Sequence, residues 1–172
     1  MFRSVMFLFA LFVGGAAQMV EVGGSLGYVR LNRGGADDYW REALHVGYQF
    51  NSLSDELMLT LFSDREADEA QFSYAFIMPS LSEYSPFNSL PFVRASIGLG
   101  NTYARTNTLT HFSYGAGVGA YVMLTDRLRA RFAIDYAIRE WQIDRKGNEP
   151  DIEAWTRKDK ELQFSLGFGV MF

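Results

Sequence analysis

The sequence predicts an all-β fold, an eight-stranded antiparallel up-and-down transmembrane β-barrel. The last eleven residues are the clearest sign, because every second side chain from Leu162 to Phe172 is large and apolar. The side chains between them are Gln, Ser, Gly, Gly and Met. Successive side chains of a strand point to opposite faces, so this segment has one wholly apolar face. Seven further segments alternate in a similar way, several with a glycine-rich second phase, and together they favour a closed sheet in lipid.

The strands follow one another along the chain, and each is defined by its apolar phase. We predict strands over Met19–Leu31, Trp40–Phe50, Glu56–Ser63, Gln71–Met78, Phe92–Tyr103, Phe112–Leu124, Leu128–Arg139 and Leu162–Phe172. No segment beyond the N-terminal region has the period of a helix.

The sixth and seventh strands form the clearest pair. Alternate residues from Phe112 to Leu124 are apolar, and the phase resumes without a break from Leu128 to Ile138. Thr125-Asp126 between them is typical of a tight turn. About 9–11 residues cross a bilayer as a tilted strand, so both segments are long enough.

Alternation does not say which face points outward, and a soluble periplasmic lipid-binding barrel would bury the apolar phase instead. The second phase is dominated by small residues such as Gly98, Gly100, Gly117 and Gly167. Small side chains suit the crowded inside of a narrow barrel, whereas bulky aromatic groups suit a lipid-facing surface. We therefore predict that the apolar phase faces lipid.

The first 17 residues have the pattern of a cleavable secretory signal peptide. A positive start is followed by an apolar run from Val5 to Val13 and by the small residues Gly15-Ala-Ala17. The run is too short to span a membrane, which takes about 20 residues. We therefore expect a signal peptide over 1–17 and a barrel domain over 18–172. Cysteine is absent, and the net charge of −4 gives no reason to expect nucleic-acid binding.

The connections divide into two sets. With both chain ends on the periplasmic side, the outer set is Arg33–Tyr39, Asp64–Ala70, Ala104–His111 and Ile143–Lys160, and the inner set is Asn51–Asp55, Pro79–Pro91 and Thr125-Asp126. Inner turns of such barrels are usually short, so Pro79–Pro91 is either an ordered excursion or a sign that the strand limits are off. Aromatic residues near the strand ends suggest the two interfacial girdles of a membrane barrel, with Tyr28 and Trp40 outside and Phe50, Phe92 and Phe172 inside.

The inward phase collects charged residues of both signs. They are Glu21, Arg41, His45, Arg94, Arg129, Arg131, Asp135, Arg139 and Glu161. Buried charges are costly unless they pair, so we expect a fixed ion-pair network that fills the lumen. The alternative is a gate that rearranges to pass small ions.

Three stretches resemble a known family. Phe92-Val-Arg-Ala-Ser-Ile-Gly-Leu-Gly100 resembles the fifth strand of the OmpA-type small outer-membrane barrels, and Gly115 to Phe132 resembles their sixth strand, turn and seventh strand. The C-terminal Phe168, Val170 and Phe172 resemble the signal that the barrel-assembly machinery recognises in this class. The resemblance implies a barrel-only member of the family in the outer membrane of a Gram-negative bacterium. It specifies the architecture well and the activity poorly.

One pairing hints at catalysis. His111 and Ser113 are two residues apart on a strand, as in the barrel-shaped lipid A deacylases, and Glu140 lies at the matching end of the next strand. Two features oppose this hypothesis: that family has Asn after its Ser, where this chain has Tyr114, and the hairpin register puts His111 inward and Glu140 outward. The glycines of Gly115–Ala120 match a dinucleotide-binding string but lie within a strand with no helix after it. We expect neither a metal site nor a cofactor.

The sequence thus favours a non-enzymatic barrel of the cell envelope. Its expected role is structural, adhesive or interactive, through outer connections that contact lipopolysaccharide, host surfaces or other cells. The long connection Ile143–Lys160, with Trp155 near its centre, is the expected contact surface. A narrow, porin-like pore is the alternative, and a deacylase-like enzyme the less favoured one. Expected partners are outer-membrane lipid, lipopolysaccharide and the barrel-assembly machinery.

Overall fold

A computed structural model describes residues 19–32, 38–50, 54–63, 67–84, 89–102, 109–143 and 156–172. Eight strands form one closed antiparallel barrel in chain order. They are β1 (Met19–Leu31), β2 (Tyr39–Phe50), β3 (Asp55–Ser63), β4 (Ala67–Ile77), β5 (Leu90–Thr102), β6 (Leu109–Met123), β7 (Leu128–Ile143) and β8 (Thr156–Met171). The predicted fold class is confirmed. The predicted signal peptide over 1–17 lies outside the described residues.

The barrel closes where its last strand meets its first. Val170 lies opposite Val22, and the backbone N–H groups of Val20 and Phe172 donate to each other's carbonyl oxygens at 3.2 and 2.8 Å. Closure pairs the edge strands that an open sheet would leave exposed. The C-terminal strand therefore closes the barrel against the first strand.

The barrel has two unlike ends. We call the end that holds Met19 and Met171 the terminal end, and the opposite end the loop end. At the terminal end, residues 124–127 form a tight turn and Pro79–Tyr84 forms a 3-10 helix. The predicted Pro79–Pro91 connection thus contains a helical turn over residues 79–84, and its residues 85–88 lie outside the described ranges. Within the described ranges no helix is long and apolar enough to cross a membrane.

The strands extend further toward the loop end than the alternation predicted. β4 begins at Ala67 instead of Gln71, and β8 begins at Thr156 instead of Leu162. The connections predicted over Asp64–Ala70 and Ile143–Lys160 are therefore too long, and the intervening residues are 64–66 and 144–155. The extensions carry charged residues on both faces, so hydropathy does not reveal them.

Most of the large apolar side chains face outward around the barrel. Leu44 is 70 % exposed and Ile97 is 56 % exposed, whereas the inward residues next to them, Ala43 and His45 on β2 and Gly98 on β5, are buried. Phe92 is an exception to the predicted girdles, because it is only 1 % exposed and stacks on Tyr121 inside the barrel with ring centroids 4.6 Å apart. It shares the phase of inward Arg94 and not that of outward Val93, which explains the error.

Candidate functional site in the lumen

The lumen is filled by polar and charged side chains in two clusters. At the terminal end, Arg129 donates from Nη2 to both carboxylate oxygens of Glu56 at 3.0 and 2.9 Å, and from Nε to Glu21. His45 Nε2 lies 2.7 Å from Glu21 Oε1, and the Tyr121 hydroxyl donates to Glu56 Oε2 at 2.8 Å. These five residues, the terminal-end cluster, are each at most 2 % exposed.

The terminal-end cluster also has an apolar component. The Arg129 guanidinium carbon lies 3.8 Å from the centroid of the Tyr121 ring, a cation–π contact in a dehydrated setting. Tyr121 in turn packs with Ile77 and Phe92, each of which is only 1 % exposed. Packed rings and paired charges therefore meet at this end of the lumen.

The second cluster lies near the loop end. Arg139 Nη2 donates to Glu69 Oε2 at 3.1 Å, and its Nη1 lies 3.3 Å from Glu161 Oε1. Arg41 Nη2 donates to Glu161 Oε2 at 3.1 Å. His111 Nε2 lies 3.0 Å from Glu69 Oε2. The loop-end cluster therefore joins residues of five different strands.

A separate ion pair lies between the two clusters. Arg94 Nε donates to Asp135 Oδ1 at 2.6 Å, with a second contact from Nη2 to Oδ2. Such a two-point pairing of a guanidinium with a carboxylate fixes both orientation and distance. Arg131, which is 3 % exposed, donates to the sulfur of Met58. Four of the lumen arginines, Arg41, Arg94, Arg129 and Arg139, form ion pairs with the carboxylates of Glu21, Glu56, Glu69, Asp135 and Glu161.

Glycines in the wall allow these pairs to form across an intervening strand. Arg94 on β5 and Asp135 on β7 both lie opposite Gly117 on β6. A Cβ at Gly117 would collide with the Asp135 carboxylate and lie 2.8 Å from the Ile134 carbonyl oxygen. Only a residue without a side chain leaves the two charged groups a path.

The same arrangement recurs around the barrel. Glu69 on β4 reaches His111 and Ser113 on β6 over Gly98 and Gly100 of β5. Glu21 on β1 passes over Gly169 of β8 to Arg129 on β7. Gln163 on β8 passes over Gly27 of β1 and accepts from Arg41 on β2 at 3.2 Å. We call these positions the glycine windows: Gly27, Gly98, Gly100, Gly117 and Gly169.

All the charged residues expected in the inward phase lie in the lumen, and Glu21, Arg41, His45, Arg129, Arg131, Arg139 and Glu161 are each at most 3 % exposed. Several lumen residues were not anticipated. Glu56 lay within a predicted strand, and its phase opposite Leu57 was enough to place it inward. Glu69 and Asp159 were assigned to connections, because β4 and β8 were predicted too short.

The structure does not assemble His111, Ser113 and Glu140. His111 and Ser113 face the lumen at 2 % exposure, and the Ser113 hydroxyl donates to Glu69. Glu140 lies on the outer face, where it accepts from Lys158 Nζ at 2.7 Å and from the Tyr114 hydroxyl at 3.1 Å. The deacylase-like arrangement therefore fails, since the sheet itself separates the carboxylate from the other two groups. The described residues also contain no group of three His, Asp or Glu side chains that could hold a metal ion.

Comparison with known proteins shows the fold alone. No family model matches the sequence, and no curated protein matches it by sequence. Among solved structures, the chain is similar to Neisserial surface protein A (NspA), at 14 % identity and a TM-score of 0.57, covering 92 % of this chain and 99 % of that one. It is also similar to the N-terminal β-barrel domain of Pseudomonas aeruginosa OprF, at 17 % identity and a TM-score of 0.53, covering 92 % of this chain and 100 % of that one. A third similar structure is the outer membrane protein OprG of Pseudomonas aeruginosa, at 14 % identity and a TM-score of 0.53, covering 91 % and 96 %.

Proposed function

We propose that this chain is an integral outer-membrane β-barrel of a Gram-negative bacterium, with a structural or interactive role in the cell envelope. The observation that carries the proposal is the apolar outer face, which includes Leu44, Ile97, Val118 and Ile134 at 47–70 % exposure. Water solvates such a continuous surface poorly, whereas acyl chains match it. The fold shared with small barrels, among them an outer membrane protein, supports the same location.

In this proposal the terminal end faces the periplasm and the loop end faces outward. Outer-membrane barrels keep short turns on the periplasmic side and longer connections outside. The outer connection over residues 144–155, which contains Trp155, is the proposed contact surface for lipopolysaccharide, host surfaces or other cells. Kinship with the OmpA-type barrels belongs to this proposal, on the strength of the sequence motifs.

Biogenesis is part of the same proposal. Phe168 and Val170 on β8 and Phe172 directly after it are exposed at 49, 41 and 76 %, so a partner can contact them from the lipid side. We assign them to recognition by the barrel-assembly machinery. Export depends on the proposed signal peptide over 1–17, which is then cleaved.

Membrane fractionation with a gel-shift assay tests the location. The protein, expressed in a Gram-negative host, is expected in the outer-membrane fraction and to migrate differently before and after boiling, because a closed barrel resists detergent. Recovery in the soluble periplasmic fraction would instead favour the lipid-binding barrel.

A strain lacking the protein tests the role. Loss of a structural barrel is expected to let large apolar antibiotics enter. Complementation with a barrel in which a short Gly/Ser turn replaces residues 144–155 restores the barrier if the barrel alone suffices, and fails if that connection acts by contact.

A narrow pore is the second candidate, because part of the lumen wall consists of small and polar residues. Ser73 and Ser165 face inward there together with Gly98 and Gly167. Eight-stranded barrels are usually filled by their own side chains, so we expect no conductance steps from purified protein in planar bilayers. Steps in the wild type or in Arg129→Ala would establish a pore.

A further inference from the structure

We propose that the outer face of β8 and β1 at the loop end binds the phosphate groups of an outer-leaflet glycolipid. The site consists of Arg30, Lys158 and Lys160, which we call the cationic seam. The inference rests on the proposed membrane location, because it requires that this face contact lipid.

The register of β1 with β8 brings the seam together. Arg30 lies opposite Leu162, and the backbone N–H of Asn32 donates to the carbonyl oxygen of Lys160 at 3.0 Å. Arg30 and Lys160 are thus diagonal neighbours on one face, at a spacing of about 7–8 Å. Lys158 lies two residues before Lys160 in the sequence and on the same face of β8, and its side chain is 62 % exposed.

The seam carries net positive charge. Lys158 is paired with Glu140 at 2.7 Å, whereas Arg30 and Lys160 have no carboxylate partner among the described residues. The nearby Asp38 already accepts from the Tyr28 hydroxyl at 2.6 Å. Two of the three cations are therefore available to an anionic ligand.

Carboxylates also lie next to the seam. Glu42 is exposed on β2, the strand that pairs with β1, while Asp38 accepts from Tyr28 and Glu140 accepts from Lys158. An anionic ligand is therefore expected at Arg30 and Lys160 more than at Lys158.

Neighbouring residues match the rest of a lipid molecule. The Tyr28 and Trp40 rings contact edge-to-face beside the seam, with centroids 5.4 Å apart and Trp40 62 % exposed. Aromatic rings of this kind favour the headgroup level of a membrane. Below them, Phe164 and Leu166 continue the seam as an apolar surface for acyl chains.

The position selects the source of the phosphate. The loop end of the proposed barrel lies in the outer leaflet, whose main lipid carries phosphates on a sugar headgroup. Each basic side chain at an anionic membrane surface strengthens binding by roughly fivefold. Two sugar phosphates fit the two cations that lack carboxylate partners better than one phosphodiester does.

Native mass spectrometry in detergent tests the site with three lipids: bisphosphorylated lipid A, dephosphorylated lipid A and phosphatidylglycerol. The wild type is expected to retain bisphosphorylated lipid A best. The double variant Arg30→Gln/Lys160→Gln should lose about tenfold or more in affinity. Arg127→Gln, which removes an exposed cation at the terminal end, is the matched control and should bind as the wild type does.

A third variant should raise the affinity for bisphosphorylated lipid A. Glu140→Gln frees Lys158 from its carboxylate and should strengthen binding of bisphosphorylated lipid A, an effect that a purely structural role for the seam does not produce. Equal retention of the dephosphorylated lipid, equal retention of phosphatidylglycerol, or no change in the double variant overturns the proposal. The boiling-dependent gel shift is recorded for every variant, so loss of the barrel is distinguished from loss of the site.

Discussion

Arg129 makes three hydrogen bonds to two buried carboxylates and stacks on a tyrosine ring. The ion pairs that Arg129 forms contribute little net stability, because the cost of desolvating the charges offsets their attraction. Its removal is different, since Glu21 and Glu56 would then be buried together without a cation. At the scale of single residues, the lumen therefore depends on the completeness of each cluster more than on the number of its ion pairs.

We expect Arg129→Met to lower the free energy of unfolding by about 3–5 kcal/mol, because two buried carboxylates lose their cation. Urea unfolding in lipid vesicles measures it. Arg127→Met, at an exposed turn position, should stay within about 0.5 kcal/mol of the wild type. An Arg129→Met protein as stable as this control would show that the carboxylates are neutral or solvated.

At the scale of the strand, glycines act as openings in the wall and not as flexible points. Gly117 and Gly169 lie between charged partners on the two flanking strands. Glycine normally weakens a strand, since it packs no side chain and has more conformational freedom to lose. The glycine-rich inward phase is explained by the side chains that must cross it.

Gly117→Ala tests this role. Alanine in place of glycine normally stabilises a strand, whereas here we expect it to destabilise the barrel. The new Cβ collides with the Asp135 carboxylate, so we expect the free energy of unfolding to fall by about 1–3 kcal/mol. Gly24→Ala is the matched control, since its Cβ meets nothing closer than 3.3 Å. A stabilised Gly117→Ala protein in urea titrations would contradict the window role.

At the scale of the whole barrel, the two faces have exchanged the usual roles of core and surface. The inside holds the paired charges together with a few packed rings, and the outside holds most of the large apolar side chains. This inversion is stable only if lipid covers the outer face.

Ile134→Arg measures whether lipid covers that face, because Ile134 is 47 % exposed near the middle of β7. In lipid vesicles we expect the free energy of unfolding to fall by about 2–4 kcal/mol, the cost of a cation near the bilayer midplane. Glu42→Arg, exposed near the loop end, should cost about 1 kcal/mol or less. An Ile134→Arg protein that unfolds like the wild type would indicate a water-facing surface.

Alternation was enough to predict all eight strands, since the period of two is a local property of the chain. It was weakest at the loop end, where β4 continues to Ala67 through residues that carry no apolar phase. That error hid Glu69, whose carboxylate joins His111, Ser113 and Arg139. The alternation of side chains within β3 would have placed Glu56 in the lumen without any structure, because its neighbour Leu57 belongs to the outward phase.

By itself the sequence determined the fold class, the strand order and the separation into an apolar and a polar face. These follow from side-chain size and polarity at every second residue. Only the tertiary structure decided which charges meet, because Glu21 and Arg129 are joined by closure of the barrel across β8. Pairing of this kind depends on register and on glycine windows between strands distant in sequence, which no local pattern contains.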